Sequence, residues 1–185
     1  RDRATSNICT SQVLLAVMAS MYAVYHGPDG IRRIAKRVKG TAELLASALR
    51  GLGHSVGSAP FFDTIRVDVK DGALDGVLNS LKRHNIEVRR LSDGGLTISL
   101  DEATTEGELE ALVDAFGGSP TDLAKASEGV IDTFDGTLAR QSDILTHPIF
   151  SSCRSEHEML RYMYRLQGKD LSLTTSMIPL GSCTM

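Results

Sequence analysis

Three cysteines and five histidines are the residues of this sequence best suited to nucleophilic or metal chemistry. Cys9, Cys153 and Cys183 lie far apart and form no C-x-x-C pair, which disfavours a zinc ribbon and a dithiol redox site. Cys183 stands among Gly, Ser and Thr, with no neighbouring base to activate it. We therefore predict a buried or pocket-lining role for Cys183, whose small polar neighbours could hydrogen-bond to a ligand.

A metal site at His147, Cys153 and His157 is not predicted. Their spacing matches no common zinc pattern, and a fourth ligand is missing. Because a residue before proline favours extended backbone, we expect His147, which precedes Pro148, to be structural.

Gly51, Gly53 and Gly57 resemble a dinucleotide fingerprint only superficially. The last spacing is one residue too long, and the segment follows a helical pattern instead of opening one. A phosphate group would find no helix N-terminus there, so the segment predicts a helix end and a tight turn.

A basic run belongs to the helical segment that precedes these glycines: Arg32, Arg33, Lys36, Arg37 and Lys39. We interpret it as a solvated helix face, and a docking surface for an acidic partner protein is the alternative. The formal net charge of -3 and the lack of Trp disfavour a nucleic-acid partner.

The elements that position these residues begin with an apolar helix. The longest apolar run, residues 13–25, is too short to cross a bilayer, which takes about 20 residues, so it predicts a buried helix and no membrane partner. Gly27 should end this helix and Pro28 should begin the next. In that second helix, apolar residues recur every three or four positions as far as Leu52.

Residues 62–118 predict a compact α+β unit. Alternation and helical periodicity give the order strand, helix, strand, strand, helix, over residues 65–69, 74–85, 86–89, 96–100 and 105–116. Asp93 and the two glycines after it predict the turn between the last two strands. Such an order places helices on one face of a small, mainly antiparallel sheet.

Less regular sequence follows, and then one more helix. Residues 119–154 predict a connector with one short helix. Ser155 and Glu158 have the spacing of a capping box, as do Thr105 and Glu108, and predict the start of a helix that ends at Gly168.

Several strings along the chain carry a family resemblance: residues 5–10, 21–28, 61–64, 98–102, 104–105, 145–148, 155–156, 158–163, 169–171 and 176–185. In their sequence and order they resemble the glycine dehydrogenase (decarboxylating) family, the pyridoxal-phosphate-dependent P-proteins of the glycine cleavage system. The final string is the most specific of them.

The resemblance implies a longer polypeptide with two related halves, each resembling the α/β fold type I of pyridoxal-phosphate enzymes. Residues 1–27 would be a buried helix joining the large and small domains of the first half, and residues 28–118 its small C-terminal α+β domain. Residues 119–143 would be a linker, and residues 144–185 would open the second, catalytic half. We therefore expect this chain to be an internal piece of a longer protein.

The resemblance also implies an activity and its participants. The parent enzyme would use pyridoxal 5'-phosphate to release CO2 from glycine and would pass the aminomethyl group to the lipoyl arm of H-protein. The implied partners are glycine, lipoylated H-protein and the other half or subunit of a dimeric P-protein. The implied compartment is the cytoplasm in bacteria and the mitochondrial matrix in eukaryotes.

Site residues follow from the same resemblance. The family's cofactor lysine follows a histidine, and no lysine of this chain does, so we expect that lysine beyond Met185 and no catalytic residue here. Ser182 and Thr184 are the implied cofactor-binding residues, lining the cofactor cleft. Where the family has Tyr-His or a similar pair, this chain has Cys153 and Arg154.

A second function stays open when the residues are considered alone. Composition and spacing also fit a free-standing α+β regulatory or binding module without catalysis. An open reading frame with a later His-Lys pair would favour the enzyme, and a stop codon after Met185 would favour the module.

Overall fold

The computed structural model describes residues 11–70, 72–134, 136–169, 172, 174, 175 and 177. The helices are α1 (Ser11–Gly51), α2 (Leu74–Arg83), α3 (Glu106–Ala115), α4 (Pro120–Ala126) and α5 (Glu156–Gln167), and the strands are β1 (Ser55–Val56), β2 (Thr64–Asp68), β3 (Arg89–Arg90) and β4 (Leu96–Ser99). Two short 3-10 helices lie at Gly136–Leu138 and Pro148–Ser151.

The chain divides into two compact units. One comprises residues 1–32 and 142–185, and the other comprises residues 33–141. The described residues include helices and a small antiparallel sheet, which confirms the predicted fold class of mixed α and β structure. The expected division into four parts, with boundaries after residues 27, 118 and 143, stays a prediction.

Helix α1 is interrupted at Gly27, where the sequence predicts a helix end. Gly27 has φ +59° and ψ -175°, a conformation that residues with a Cβ rarely adopt. Pro28 follows at once and can open the second helical stretch because that position needs no N–H donor. The predicted end at Gly27 and new start at Pro28 are thus confirmed.

The stretch of α1 before the break exposes large apolar side chains. Leu14, Leu15 and Met18 are 64%, 66% and 59% exposed, whereas Val24 is buried. The burial predicted for residues 1–27 is therefore not found over most of residues 11–23, and it stays a prediction for a longer polypeptide. Within the described residues, no helix has the length and apolarity needed to cross a membrane.

The unit of residues 33–141 is built around an antiparallel sheet with strand order β1-β2-β4-β3. In its centre Ile65 pairs with Ile98 and Val67 with Leu96, and all four side chains are buried. Because successive strand residues alternate between faces, the other face carries polar residues such as Arg66. Helices α1, α2 and α3 complete the core with Ala42, Leu45, Leu49, Val77, Leu81, Leu109, Leu112 and Val113.

The strand expected at residues 86–89 is shorter than predicted and begins later. Asn85 has φ +55° and ends α2, and the Ile86 N–H donates to Leu81 O at 3.0 Å. The end of α2 therefore uses an amide that a strand would have needed. Of the predicted strand, Arg89 alone pairs with β4, and the strand continues to Arg90.

Capping boxes begin three of the helices. Those predicted for α3, with Thr105 and Glu108, and for α5, with Ser155 and Glu158, are confirmed. A third, in which Ser119 N donates to Asp122 Oδ2 at 3.0 Å, opens α4 within the predicted connector.

Candidate functional site

The residues predicted to bind the cofactor, Ser182 and Thr184, lie outside the described residues. So do Cys9 and Cys183. Their roles stay predictions, and the site is therefore built from the polar and ionised groups that the structure describes.

The histidine and cysteine residues near α5 have structural partners. His147 Nδ1 accepts from the N–H of Ile149 at 3.2 Å and so starts the 3-10 helix Pro148–Ser151, as expected for a structural histidine. Cys153 is buried beside Val24 and Met159. No three His, Cys, Asp or Glu side chains in the described stretches are grouped so that they could hold a metal ion.

Arg154, which stands where the resemblance implies a different residue, holds the interruption of α1. Its guanidinium donates to Val24 O at 3.0 Å and to Tyr25 O at 3.2 Å, and also to Phe150 O. In a regular helix Val24 O would accept from residue 28, but Pro28 has no N–H. Arg154 therefore supplies the donor that proline lacks, which is a structural role for this departure.

A buried histidine ties the end of α1 to α3. His54 is 4% exposed, its Nδ1 accepts from the Lys70 N–H at 3.3 Å, and its Nε2 lies 3.0 Å from Phe116 O. Since Nδ1 accepts, Nε2 must carry the proton and donate to the carbonyl. The segment from Gly51 to Gly57 thus ends α1 and turns, as predicted, and it also contains strand β1, which was not predicted.

The basic run is a solvated face, as predicted, at Arg32, Arg33, Lys36 and Arg37, which are exposed, and Lys39 is the exception. It is 7% exposed, and its Nζ donates to Glu43 Oε2 at 2.8 Å. The amine also lies 4.4 Å from the ring centre of Phe61 and 5.5 Å from that of Phe134. An ion pair and two aromatic faces offset the loss of hydration of the buried ammonium group.

The groups around Lys39 line a cavity of about 290 Å³, which we call the Lys39 pocket: Lys39, Glu43, Arg50, Phe61, Phe134 and Leu138. Arg50 Nη1 lies 3.4 Å from Glu43 Oε1, so one carboxylate contacts two cations. The sequence does not reveal this pocket, because its aromatic residues come from two separate segments outside α1.

The described residues do not fit pyridoxal phosphate. Its covalent attachment needs a lysine in a cleft, and every described lysine other than Lys39 is exposed. Lys39 itself is not a free amine, since its Nζ donates to Glu43 Oε2 at 2.8 Å. No reaction step through the cofactor can be assigned to these residues.

Comparison with known proteins identifies the family. The family model described as "Glycine cleavage system P-protein" matches residues 1–116, more than half of the chain. The chain is 47% identical over 194 residues to a protein of Nostoc punctiforme named "Glycine dehydrogenase (decarboxylating)", and 50% identical over 185 residues to a protein of that name in Thermosynechococcus vestitus. A third relative, "Glycine dehydrogenase (decarboxylating), mitochondrial" of Dictyostelium discoideum, is 46% identical over 194 residues.

These alignments cover 100% of this chain but 20%, 19% and 19% of the three relatives. The chain thus spans about a fifth of the length of the curated relatives that it matches. The family model and the sequence identities indicate the same class of protein. The mixed α and β fold is compatible with a domain of that class. The chain belongs to the glycine cleavage system P-protein family.

Proposed function

We propose that this chain is one segment of a glycine dehydrogenase (decarboxylating), an oxidoreductase that releases CO2 from glycine and passes the aminomethyl group to the lipoyl arm of H-protein. The observation that carries the proposal is the identity of 46–50% to relatives of that name over the whole chain. Glycine and lipoylated H-protein are the substrates that this reaction requires.

The segment's contribution is structural support for the active site. Residues 28–118 form the small C-terminal domain of a first half of fold type I, residues 1–27 join that domain to the large one, and residues 119–143 link to a second half that begins at residue 144. The mixed fold of residues 33–141, with its own core, supports the assignment of a small domain. The apolar side chains exposed on α1 support the placement of this helix against a larger body.

The cofactor of the whole enzyme is pyridoxal 5'-phosphate, whose ring accepts electrons as the carboxylate leaves. The lysine that anchors it lies outside these 185 residues in this proposal. We therefore expect added pyridoxal 5'-phosphate to label the exposed lysines of the chain alone only weakly and without saturation. Saturable labelling of a single lysine in a one-to-one ratio, fixed by borohydride reduction, would contradict this expectation.

Ser182 and Thr184 line the cofactor cleft in this proposal and orient substrate or cofactor through their hydroxyls. Ser182→Ala in the whole enzyme should lower kcat for glycine decarboxylation or weaken cofactor retention. Unchanged values of both would leave only a packing role for this residue. Ser176→Ala, in the same terminal segment, is the matched control.

The remaining participants follow from the same proposal. The other half or subunit of the P-protein completes the catalytic cleft, and the assembly is dimeric. The compartment is the cytoplasm for a bacterial source and the mitochondrial matrix for a eukaryotic one, and the name of the Dictyostelium discoideum relative supports the latter case. No nucleic acid or membrane is a partner.

The experiment that tests the proposed function is a chimera. The protein of Thermosynechococcus vestitus aligns over 185 residues, the length of this chain, so its matching segment can be replaced without changing the length of the protein. Radiolabelled CO2 released from carboxyl-labelled glycine, with lipoylated H-protein present, measures the activity. Release that depends on both glycine and H-protein supports the proposal, and a folded but inactive chimera contradicts it.

A further inference from the structure

The Lys39 pocket carries more positive charge than its own residues neutralise. Lys39 and Arg50 both contact Glu43, and Glu43 is the only acid among the described residues that line the pocket. Two cations and one carboxylate leave one positive charge beside a low-dielectric aromatic surface. Electrostatic attraction for an anion is stronger there than at an open protein surface.

The two cations also keep hydrogen-bond capacity. Arg50 has five N–H donors and makes one long contact of 3.4 Å to Glu43, and Lys39 has three N–H donors and makes one bond of 2.8 Å to the same residue. The side chain of Arg50 is 41% exposed, so an incoming ligand can reach it. A planar guanidinium matches a carboxylate through two parallel hydrogen bonds.

Apart from the three charged residues, the pocket is lined by apolar side chains and by the hydroxyl-bearing Ser58 and Thr133, and it is of limited size. Phe61, Phe134 and Leu138 line it, and about 290 Å³ lies near the lower end of the range for small-molecule sites. Residues 130–134 pass beside α1 at Gly40, where an added Cβ would lie 3.4 Å from the Cβ of Asp132, an ordinary van der Waals distance. This close passage brings Phe134 over Lys39.

We propose that the Lys39 pocket binds a small carboxylate with an apolar body. Arg50 and Lys39 hold the carboxylate, while the rings of Phe61 and Phe134 and the side chain of Leu138 contact the apolar part. An inorganic anion would satisfy only the cations, and a neutral apolar molecule would satisfy only the rings. This assignment does not depend on the proposed activity of the longer enzyme.

Benzoate, benzamide and inorganic phosphate are the probes that test the assignment. Each is titrated into the 185-residue chain, with calorimetry for affinity and the methyl NMR signals of Leu138 for location. We expect benzoate to bind at one saturable site that shifts these signals, and benzamide and phosphate to bind at least about tenfold more weakly, the factor expected for loss of a charge-assisted contact. Equal affinity for benzamide or phosphate, or no shift at Leu138, would overturn the assignment.

Two variants and one control connect the binding to the named cations. Arg50→Gln and Lys39→Met should each weaken benzoate binding by about tenfold or more. Arg89→Gln, an exposed arginine on the edge strand β3, should leave it unchanged. An Arg50→Gln chain that is folded and binds benzoate as tightly as the native chain refutes the proposal. If that variant fails to fold, the comparison of benzoate with benzamide on the native chain decides alone.

Discussion

Gly27 is the residue at which α1 is interrupted, and its neighbours leave no room for a side chain. A Cβ built there would overlap the guanidinium of Arg154 and the carbonyl oxygen of Phe150, and the φ of +59° already disfavours any L side chain. Gly27, Pro28 and Arg154 therefore act together, since the proline removes a donor, the glycine permits the break, and the arginine restores the hydrogen bonds.

Gly27→Ala should lower the free energy of unfolding by about 1–3 kcal/mol, the usual cost of a non-glycine residue in a strained conformation. Urea titration followed by circular dichroism measures the change. Gly107→Ala is the matched control, because position 107 is helical and has open space around it. The control should be neutral or more stable by up to about 1 kcal/mol. A Gly27→Ala chain as stable as the control would contradict the account of the break.

At the scale of elements, three helices depend on carboxylates at their N-termini. Hydrogen bonds from Thr105 lower the pKa of Glu108 below its usual range, and those from Ser119 lower the pKa of Asp122. The pKa of Glu158 is lowered by the Arg154 N–H and then by Ser155. When folding lowers the pKa of a carboxyl group, the ionised group stabilises the folded chain fully at pH values above its pKa in the unfolded chain. This stabilisation is lost as the pH falls through the lower pKa that the group has in the folded chain.

Acidification from pH 6 to below the ordinary glutamate value of 4.5 should therefore weaken these caps. In Glu108→Gln, the free energy of unfolding should fall less steeply with acid than in the native chain. Glu110→Gln, on the same helix but outside the capping box, is the control. Identical acid dependence for the native chain and Glu108→Gln, measured by urea titration at each pH, would disprove the role of the cap.

The elements of the fold differ in how well the sequence predicts them, because some depend on local signals and others on contacts between distant residues. Alternating residues in β2 and β4 and the two capping boxes are local signals, and these predictions are confirmed. Strand β1 has two residues, too few for an alternation to be visible, whereas the alternation at residues 86–89 placed β3 too early because the end of α2 uses the Ile86 amide. The Lys39 pocket depends on contacts between distant segments, which periodicity along one segment does not reveal. Whether Ser182 and Thr184 line a cleft stays a prediction.

At the scale of the molecule, the unit of residues 33–141 contains its own core. The buried cluster includes Leu45 and Leu49 of α1, Ile65 and Val67 of β2, and Phe116 after α3, all less than 3% exposed. We expect a polypeptide of residues 33–141 to unfold in one cooperative transition in urea, because these contacts lie within it. A gradual, non-cooperative change in circular dichroism would show that this unit needs the rest of the chain.

We propose that these residues support the active site of a glycine-decarboxylating enzyme. The most direct measurement is kcat for glycine-dependent CO2 release by the chimera with the Thermosynechococcus vestitus protein, in the presence of lipoylated H-protein. We predict a kcat of at least about a tenth of the parent value, since a supporting segment that is 50% identical should cost the transition state no more than about 1.4 kcal/mol. A chimera that folds and holds its cofactor but releases no CO2 above background would contradict the claim.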